Sequence, residues 1–529
     1  MGRESAPVRC GRAGHPGSTN PGGIRVTTAG WISRAALAVA SITAVGCMVG
    51  PNYESPRTVL PAVYGEAINE PTSSTTTSGS IGPTEIRWWR HLGDPQLTDL
   101  VEKSVAANYG IAGAEARLRA ARAARQVAQS LLYPQLSVGA SAIRFRNSEA
   151  ATDLPGLDSN FNLFQAGFDA SWVVDVFGGT RRGVESARAH EQAVASDRRA
   201  IVLMVAAETA RAYLELRGVQ RQLAIEFDIM EQQRQTLRVT EDWRRNGLAS
   251  ELEVLRARTE VEATAAEIPP LEQASRQYIH LISTLLGLEP TALRADLERT
   301  APLPAVPERI AIGFPSDLLR RRPDIQGAER RLATATAQVG VATSELFPRV
   351  VLGGTAQLQS RETGDLFNGG SDPSSSYYAA GPSINWSLFD AGRRRSGIRF
   401  AEAQVEAAKA AYEDTVLRAF REVESSLVSV DRARARVSDL QRVSASARAS
   451  AQIARRDYES GLLDQLTVLD AQRQSNRADL LLSQGEVALV VNVVTLYKAL
   501  GGGWEIAEPP SDMQPTDIPR NEGDVHEEG

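Results

Sequence analysis

The side chains that could do chemistry are few and poorly placed for it. His15, His91, His190, His280 and His526 show no i,i+4 or carboxylate spacing of the kind that gathers metal ligands. No Gly-x-Ser-x-Gly elbow presents an activated serine, and no phosphate-binding loop is present. Gly501-Gly502-Gly503 lacks a following lysine and helix, so it reads as a helix stop. A net charge of −6 gives nothing to attract nucleic acid. The expectation is a non-enzyme with no metal, no soluble cofactor and no nucleic-acid partner.

What the chain does carry is a unit written twice. Leu132-Tyr133-Pro134-Gln135-Leu136 returns as Leu346-Phe347-Pro348-Arg349-Val350, an offset of about 214 residues. The same offset links Trp172 to Trp386, Leu252 to Leu466, Val254 to Val468, Gly247 to Gly461 and Gly287 to Gly501.

Each unit changes period midway. After Pro134, Leu136, Val138, Ala140 and Ala142 alternate with Gln135, Ser137, Gly139 and Ser141. Phe164, Ala166, Phe168, Ala170, Trp172, Val174 and Val176 then alternate with Gln165, Gly167, Asp169, Ser171 and Asp175. Val350 to Gln359 and Tyr378 to Leu388 repeat the pattern, so two β-hairpins are expected. Such strands suit an outer-membrane barrel wall, or an antiparallel sheet over a soluble core. Four strands cannot close, since about eight are needed to enclose even a filled interior. Membrane strands would therefore require several chains to share one barrel.

No apolar run reaches the roughly 18 residues of a spanning helix; the best, Ala35 to Val45, has the length of a signal-peptide core. It ends Ala44-Val45-Gly46-Cys47, which resembles the lipobox of bacterial lipoproteins, whose cysteine carries the lipid. Cys10 lies in the part that would be removed, so the mature chain has no disulfide, and Met48 is not the aspartate associated with inner-membrane retention. From Gly50 to about Pro83 a Pro/Ser/Thr/Gly tether follows.

The remainder reads as helix: one from about Pro95 to Leu132, then about 68 residues from Gly179 to Asn246, a length near 100 Å. Leu216, Leu223, Met230 and Leu237 fall seven apart, as do Val416, Val423, Val430 and Val437, giving coiled-coil seams. A shorter helix returns over about 250–286, with a bend possible at Pro269-Pro270, and Pro290 to Pro315 is extended. Two short helices laid end to end would match one long one. Arg181-Arg182 and Arg393-Arg394-Arg395 follow the hairpins, either as solvated helix starts or as contacts to lipid headgroups.

Taken together, Cys47 with Gly50-Pro51-Asn52-Tyr53, Trp88-Trp89, Asp175-Val176-Phe177-Gly178, Leu318-Leu319-Arg320-Arg321-Arg322-Pro323-Asp324-Ile325 and Ala499-Leu500-Gly501-Gly502-Gly503-Trp504 resemble the lipoprotein (NodT-type) branch of the TolC-like outer membrane factors. That resemblance implies an α+β fold. Long antiparallel helices form a trimeric α-barrel, capped by a shared 12-stranded transmembrane β-barrel with four strands per chain. It implies a signal peptide over 1–46, a lipid-anchored linker over 47–93, repeats over 94–287 and 316–504, an equatorial insert over 288–315 and a disordered acidic tail over 505–529.

The implied function is the outer-membrane exit channel of a tripartite efflux pump of the RND type. Its partners would be two further copies, a periplasmic adaptor, an inner-membrane transporter and outer-membrane lipid. A type I secretion duct, or a coiled-coil envelope lipoprotein without a pore, are the alternatives. Matched by motif, Leu466, Asp470 and Arg473 would line a periplasmic gate; four- and three-residue spacing puts them on one helical face, where Asp470 and Arg473 could equally form an ordinary intrahelical pair. Arg245, Gly247, Leu248, Gly461 and Leu462 would form adaptor-docking tips, or simply cap helices.

Overall fold

The structure, a computed structural model, describes residues 48–56, 61–67, 76–77, 83–146, 160–307, 310–311, 315–364 and 375–507. The expected signal peptide, Cys47, much of the linker and most of the acidic tail lie outside these residues. In chain order the main elements are α1 (Pro95–Ala107), α2 (Tyr109–Ser130), β1 (Gln135–Arg146), β2 (Asn160–Val174), α3 (Gly179–Arg245) and α4 (Glu251–Leu285). The second half supplies α5 (Pro315–Arg321), α6 (Pro323–Ser344), β3 (Arg349–Ser360), β4 (Ser376–Asn385), α7 (Arg393–Glu459) and α8 (Gln465–Ala499).

The duplication is visible down to single backbone angles. Gly178 and Gly392 cap the long helices at φ 79° and 84°, Gly247 and Gly461 turn them at 74° and 75°, and Gly287 and Gly501 end the short ones at 72° and 75°. A side chain at these angles is strained, which is why glycine recurs. Trp172 Nε1 donates to the Leu132 carbonyl at 2.9 Å and Trp386 Nε1 to the Leu346 carbonyl at 3.0 Å. One indole in each copy thus pins the end of a returning strand to the helix before the hairpin.

Both long helices contain 67 residues and both α4 and α8 contain 35. At about 1.5 Å per residue the long ones reach about 100 Å. Beside them the shorter helices lie end to end. Asn108 Nδ2 donates to the Leu285 carbonyl at 2.9 Å, joining α2 to α4. Arg322 Nη1 donates to the Ala499 carbonyl at 2.9 Å, joining α6 to α8 in the corresponding place.

The expected single helix over 95–132 is broken at Asn108, whose extended backbone (ψ 125°) lets its side chain cap α2 through the amides of Gly110 and Ile111. Arg322 breaks the second copy at the matching position with ψ 119°, ahead of Pro323. By contrast α4 runs through Pro269 and Pro270 as one helix.

The seams pack as their spacing requires. Leu216 and Met230 are buried with Leu223 and Leu237 half-buried, and Val416, Val423, Val430 and Val437 are all buried. Small residues let the helices approach closely: a Cβ on Gly218 would sit 2.5 Å from Val487 Cγ2. By length and composition α8 is apolar enough to cross a membrane, although no unbroken apolar run in it is that long. Half of that stretch is buried, with Val490, Val493, Val494 and Leu496 in the core and the helix packed on α7 and α3.

A knot of aromatic side chains joins the ends of the repeats. Trp88 and Trp89 are fully buried; Trp88 stacks on Tyr497 at 5.4 Å and donates to the Gly502 carbonyl at 3.2 Å. Gly503, at φ 113°, leaves no room for a side chain, since its Cβ would lie 3.0 Å from Trp88 Nε1. Trp504 Nε1 returns a bond to the Arg321 carbonyl at 3.0 Å. The helix stop expected at Gly501 to Gly503 is therefore also a packing surface. The mid-chain insert joins the same region: Arg217 donates to the Arg299 carbonyl and Gln220 to the Leu297 carbonyl, both at 2.6 Å.

Candidate channel wall, gate and docking tips

The four strands form one antiparallel sheet in the order β1-β2-β3-β4. Register decides what each side presents. Val138 faces Phe168, Phe168 faces Ala356 and Ala356 faces Tyr378, so one side carries Leu136, Val138, Phe164, Phe168, Trp172, Leu352, Tyr378 and Ile384. The other side carries Ser137 opposite Asp169, Asp169 opposite Thr355, and Gln165 opposite Gln359. Polar groups there bond one another, as Gln357 Nε2 to Asp169 Oδ1 and Ser141 Oγ to Gln165 Oε1, each at 3.3 Å. Neither side packs on a core: Val138, Phe168, Tyr378 and Ile384 are exposed, and so are Ser137 and Asp169. This rules out the soluble-core sheet that the strand pattern alone allowed.

At the opposite ends of the helices the two turns are superimposable in their bonding. Gly247 N donates to the Arg244 carbonyl and Leu248 N to the Trp243 carbonyl, while Gly461 N donates to Tyr458 and Leu462 N to Asp457. These are Schellman closures, in which the residue after the glycine ordinarily packs back on the helix. Here it does not: Leu248 is 74% exposed and Leu462 75%. Ser250 and Asp464 begin the return helices, Ser250 in a full capping box with Glu253. Trp243 against Tyr458, at 5.3 Å, ties the two turns together. Arg245 pairs with Asp242 and points to solvent.

Just above the turns, α8 buries Gln465, Val468 and Leu469 and leaves Leu466, Asp470 and Arg473 exposed on one face. Gln465 Nε2 reaches Thr240 Oγ1 at 2.7 Å, which fixes that orientation. Asp470 accepts from Gln474 at 2.8 Å and lies 3.6 Å from Arg473, which also lies 3.8 Å from Glu260 on α4. The pair expected within the helix is thus part of a wider cluster, and Glu260 is a member that spacing within α8 could not reveal.

The basic clusters divide differently from either expectation. Arg182 is 1% exposed and donates to the Val49 and Gly50 carbonyls, to Asn52 Oδ1 at 2.7 Å and to Glu185 at 2.7 Å. It is neither solvated nor at a headgroup; it clamps the tether. Arg394 is buried and donates to Asp390 and the Glu345 carbonyl, while Arg181 pairs with Asp175. Only Arg393 and Arg395 are exposed.

Two stretches, residues 100–288 and 314–502, match the family model described as outer membrane efflux protein. The chain belongs to that family. A relative in Pseudomonas putida, the pyoverdine export outer membrane protein OpmQ, is 33% identical over 468 residues, covering 85% of this chain and 95% of that protein. Nodulation protein T of Rhizobium leguminosarum bv. trifolii is 29% identical over 464 residues, covering 88% and 96%. Among solved structures, the outer-membrane channel OprN is 37% identical with a TM-score of 0.78, covering 87% of this chain and all of that one. The Campylobacter jejuni CmeC outer membrane channel shares the fold at a TM-score of 0.79.

As an outer membrane efflux protein, the chain is a channel-forming protein of the outer membrane whose helices extend into the periplasm. Its four-stranded sheet is the membrane wall and its duplicated helices are the periplasmic conduit.

Proposed function

We propose that three copies of this chain close one conduit, lipid-anchored through Cys47, which passes small molecules outward for a tripartite pump and performs no chemistry of its own. The observation that carries this is the sheet with two chemically distinct sides, both exposed, and two open edges, β1 and β4. Only a closed ring satisfies such edges within lipid. The helices agree: α3 packs against α2, α4, α6 and α8, whereas α7 packs against α6 and α8 and leaves Phe400, Leu417, Val443 and Ile453 exposed. Detergent-purified protein is expected to have the size of three chains and to conduct in planar bilayers. A stable, non-conducting monomer would overturn the reading.

The anchor is supported by where the tether begins. Met48 packs where a Cβ on Gly178 would fall, 2.8 Å from the Met48 Cα, and Val49 N donates to the Phe177 carbonyl at 3.2 Å. Met48, which follows Cys47 in the sequence, is thereby held at the point where strand gives way to helix. An acyl group there enters the inner leaflet directly. Below, Tyr53 and Ser55 donate to Glu329 at 2.9 and 3.0 Å, and burial together with Glu329 pushes the Tyr53 hydroxyl up to about 12. In the same preparation, intact mass should show lipid on the wild type and none on Cys47→Ser; equal masses would remove the anchor.

The unpacked leucines at the turns fit an apolar docking surface for an adaptor. Leu248→Glu with Leu462→Glu should abolish export in cells by tenfold or more while leaving conductance of the purified channel unchanged. Full export by that variant would reduce the turns to helix caps. The names of the relatives mention pyoverdine export and toluene and antibiotic efflux, which favours small-molecule export over protein secretion.

A further inference from the structure

The sheet changes polarity at its outward end, the end away from the helices. Through Ala142, the lipid-facing side of β1 is apolar; Arg144 and Arg146 then take that same side, opposite Asn162 and Asn160 on β2. Ile143 and Phe145 fall on the lumen side with Leu163 and Phe161. The Phe145 and Phe161 rings stack at 5.1 Å, and the Arg361 guanidinium lies 5.1 Å over Phe161. That contact agrees with the register, which puts Phe145 and Phe161 on the same side as Ser137, Asp169 and Gln165, the side read as the lumen. With Phe145 turned inward, its strand neighbours Arg144 and Arg146 are turned outward, because successive side chains alternate. Both arginines are exposed, and neither forms an ion pair among the described residues.

We propose that Arg144 and Arg146 bind the phosphate groups of the glycolipid in the outer leaflet, with the carboxamides of Asn160 and Asn162 as additional donors. A cation on the lipid side of a barrel is strongly unfavourable at the midplane and tolerated only at the interface. Its presence here, directly after the last apolar residues Ala142 and Phe164, marks the level of the headgroups. Residues two apart on a strand lie about 7 Å from one another. Two forked guanidinium groups at that distance can each take a phosphate in bidentate fashion, and guanidinium is less strongly hydrated than ammonium, so it gives up water more readily on contact. The position at the outward end selects the outer leaflet, and hence its phosphorylated saccharolipid over the phospholipid of the inner one.

The inference uses the channel reading only for which side of the sheet meets lipid, and the test separates the two. Full-length protein in nonionic detergent is incubated with diphosphoryl lipid A or with phosphatidylglycerol and gel-filtered, and lipid carried with the protein is quantified by mass spectrometry. Conductance is recorded on the same samples. Wild type should retain lipid A severalfold better than Arg144→Gln with Arg146→Gln, and 1 M salt should erase that difference. Arg349→Gln, on the lumen side at the other end of the sheet, should retain as much as wild type. Equal retention by the double variant and wild type, in protein that still conducts, overturns the proposal and leaves the channel standing. Retention of phosphatidylglycerol equal to that of lipid A, lost in the same variant, overturns the assignment to the glycolipid.

Discussion

Replacing Leu466 and Asp470 by alanine together should raise single-channel conductance in planar bilayers severalfold. The two side chains stand one turn apart on the exposed face of α8, immediately above the turn at Gly461. Asp470 sits 3.6 Å from Arg473, and Arg473 reaches Glu260 at 3.8 Å. An exposed pair of this kind gives only a few tenths of a kcal/mol within one chain. Three copies facing a common axis would set three leucines beside three such clusters, and a narrow apolar ring resists water as well as ions. Truncating both removes the apolar ring and leaves Arg473 free to swing toward Glu260. Unchanged conductance from a normally assembled variant would mean that these residues only brace the helix.

The second large effect is expected at Arg322. Its guanidinium is buried and bonds Asp324 at 2.7 Å, Glu422 at 2.8 Å and the Ala499 carbonyl at 2.9 Å. Burial opposes its charge, but Asp324 and Glu422 outweigh that and hold it above its ordinary range. Arg322→Ala strands two half-exposed carboxylates and an unpaired carbonyl where α6 meets α8. Breaking a fully buried pair costs about 3–5 kcal/mol, and the exposure of the carboxylates brings the expectation to about 2–3 kcal/mol. Arg322→Lys, with one point charge in place of a fork, should recover only part of it. Thermal melting followed by circular dichroism measures both, and an Arg322→Ala midpoint equal to wild type would refute the estimate. The matching position in the first repeat, Asn108, carries no charge, so the two junctions are of unequal strength.

Much of this architecture was written in spacing. Proline, tryptophan and glycine returned at one offset because each occupies a place where backbone angle or an indole bond leaves no alternative. The sides of the strands were readable for the same reason, since alternation survives whatever the partner. The break at Arg322 is announced by Pro323, whereas Asn108 interrupts an alanine-rich stretch with no proline to mark it. The buried arginines were beyond reach. Arg182 and Arg217 find their partners in carbonyls of segments far along the chain, and a carbonyl has no signature in sequence. The exposed face of α8 and the two glycine turns were legible in the sequence, but Glu260 beside Arg473 comes from a different helix and no spacing within α8 reveals it.

The ladder between β2 and β3 joins Phe164 to Ser360 and Val174 to Val350, so the membrane wall is stitched across the boundary between repeats. During synthesis the first hairpin leaves the ribosome and crosses the inner membrane well before its neighbour exists, with both outer edges bare and an apolar side turned to water. Closing so long a loop adds little free energy, since that term grows only logarithmically, but the delay is unavoidable. The wall can therefore form only once the second repeat has been exported, and until then the first hairpin carries the unpaired strand edges and apolar surface that favour aggregation.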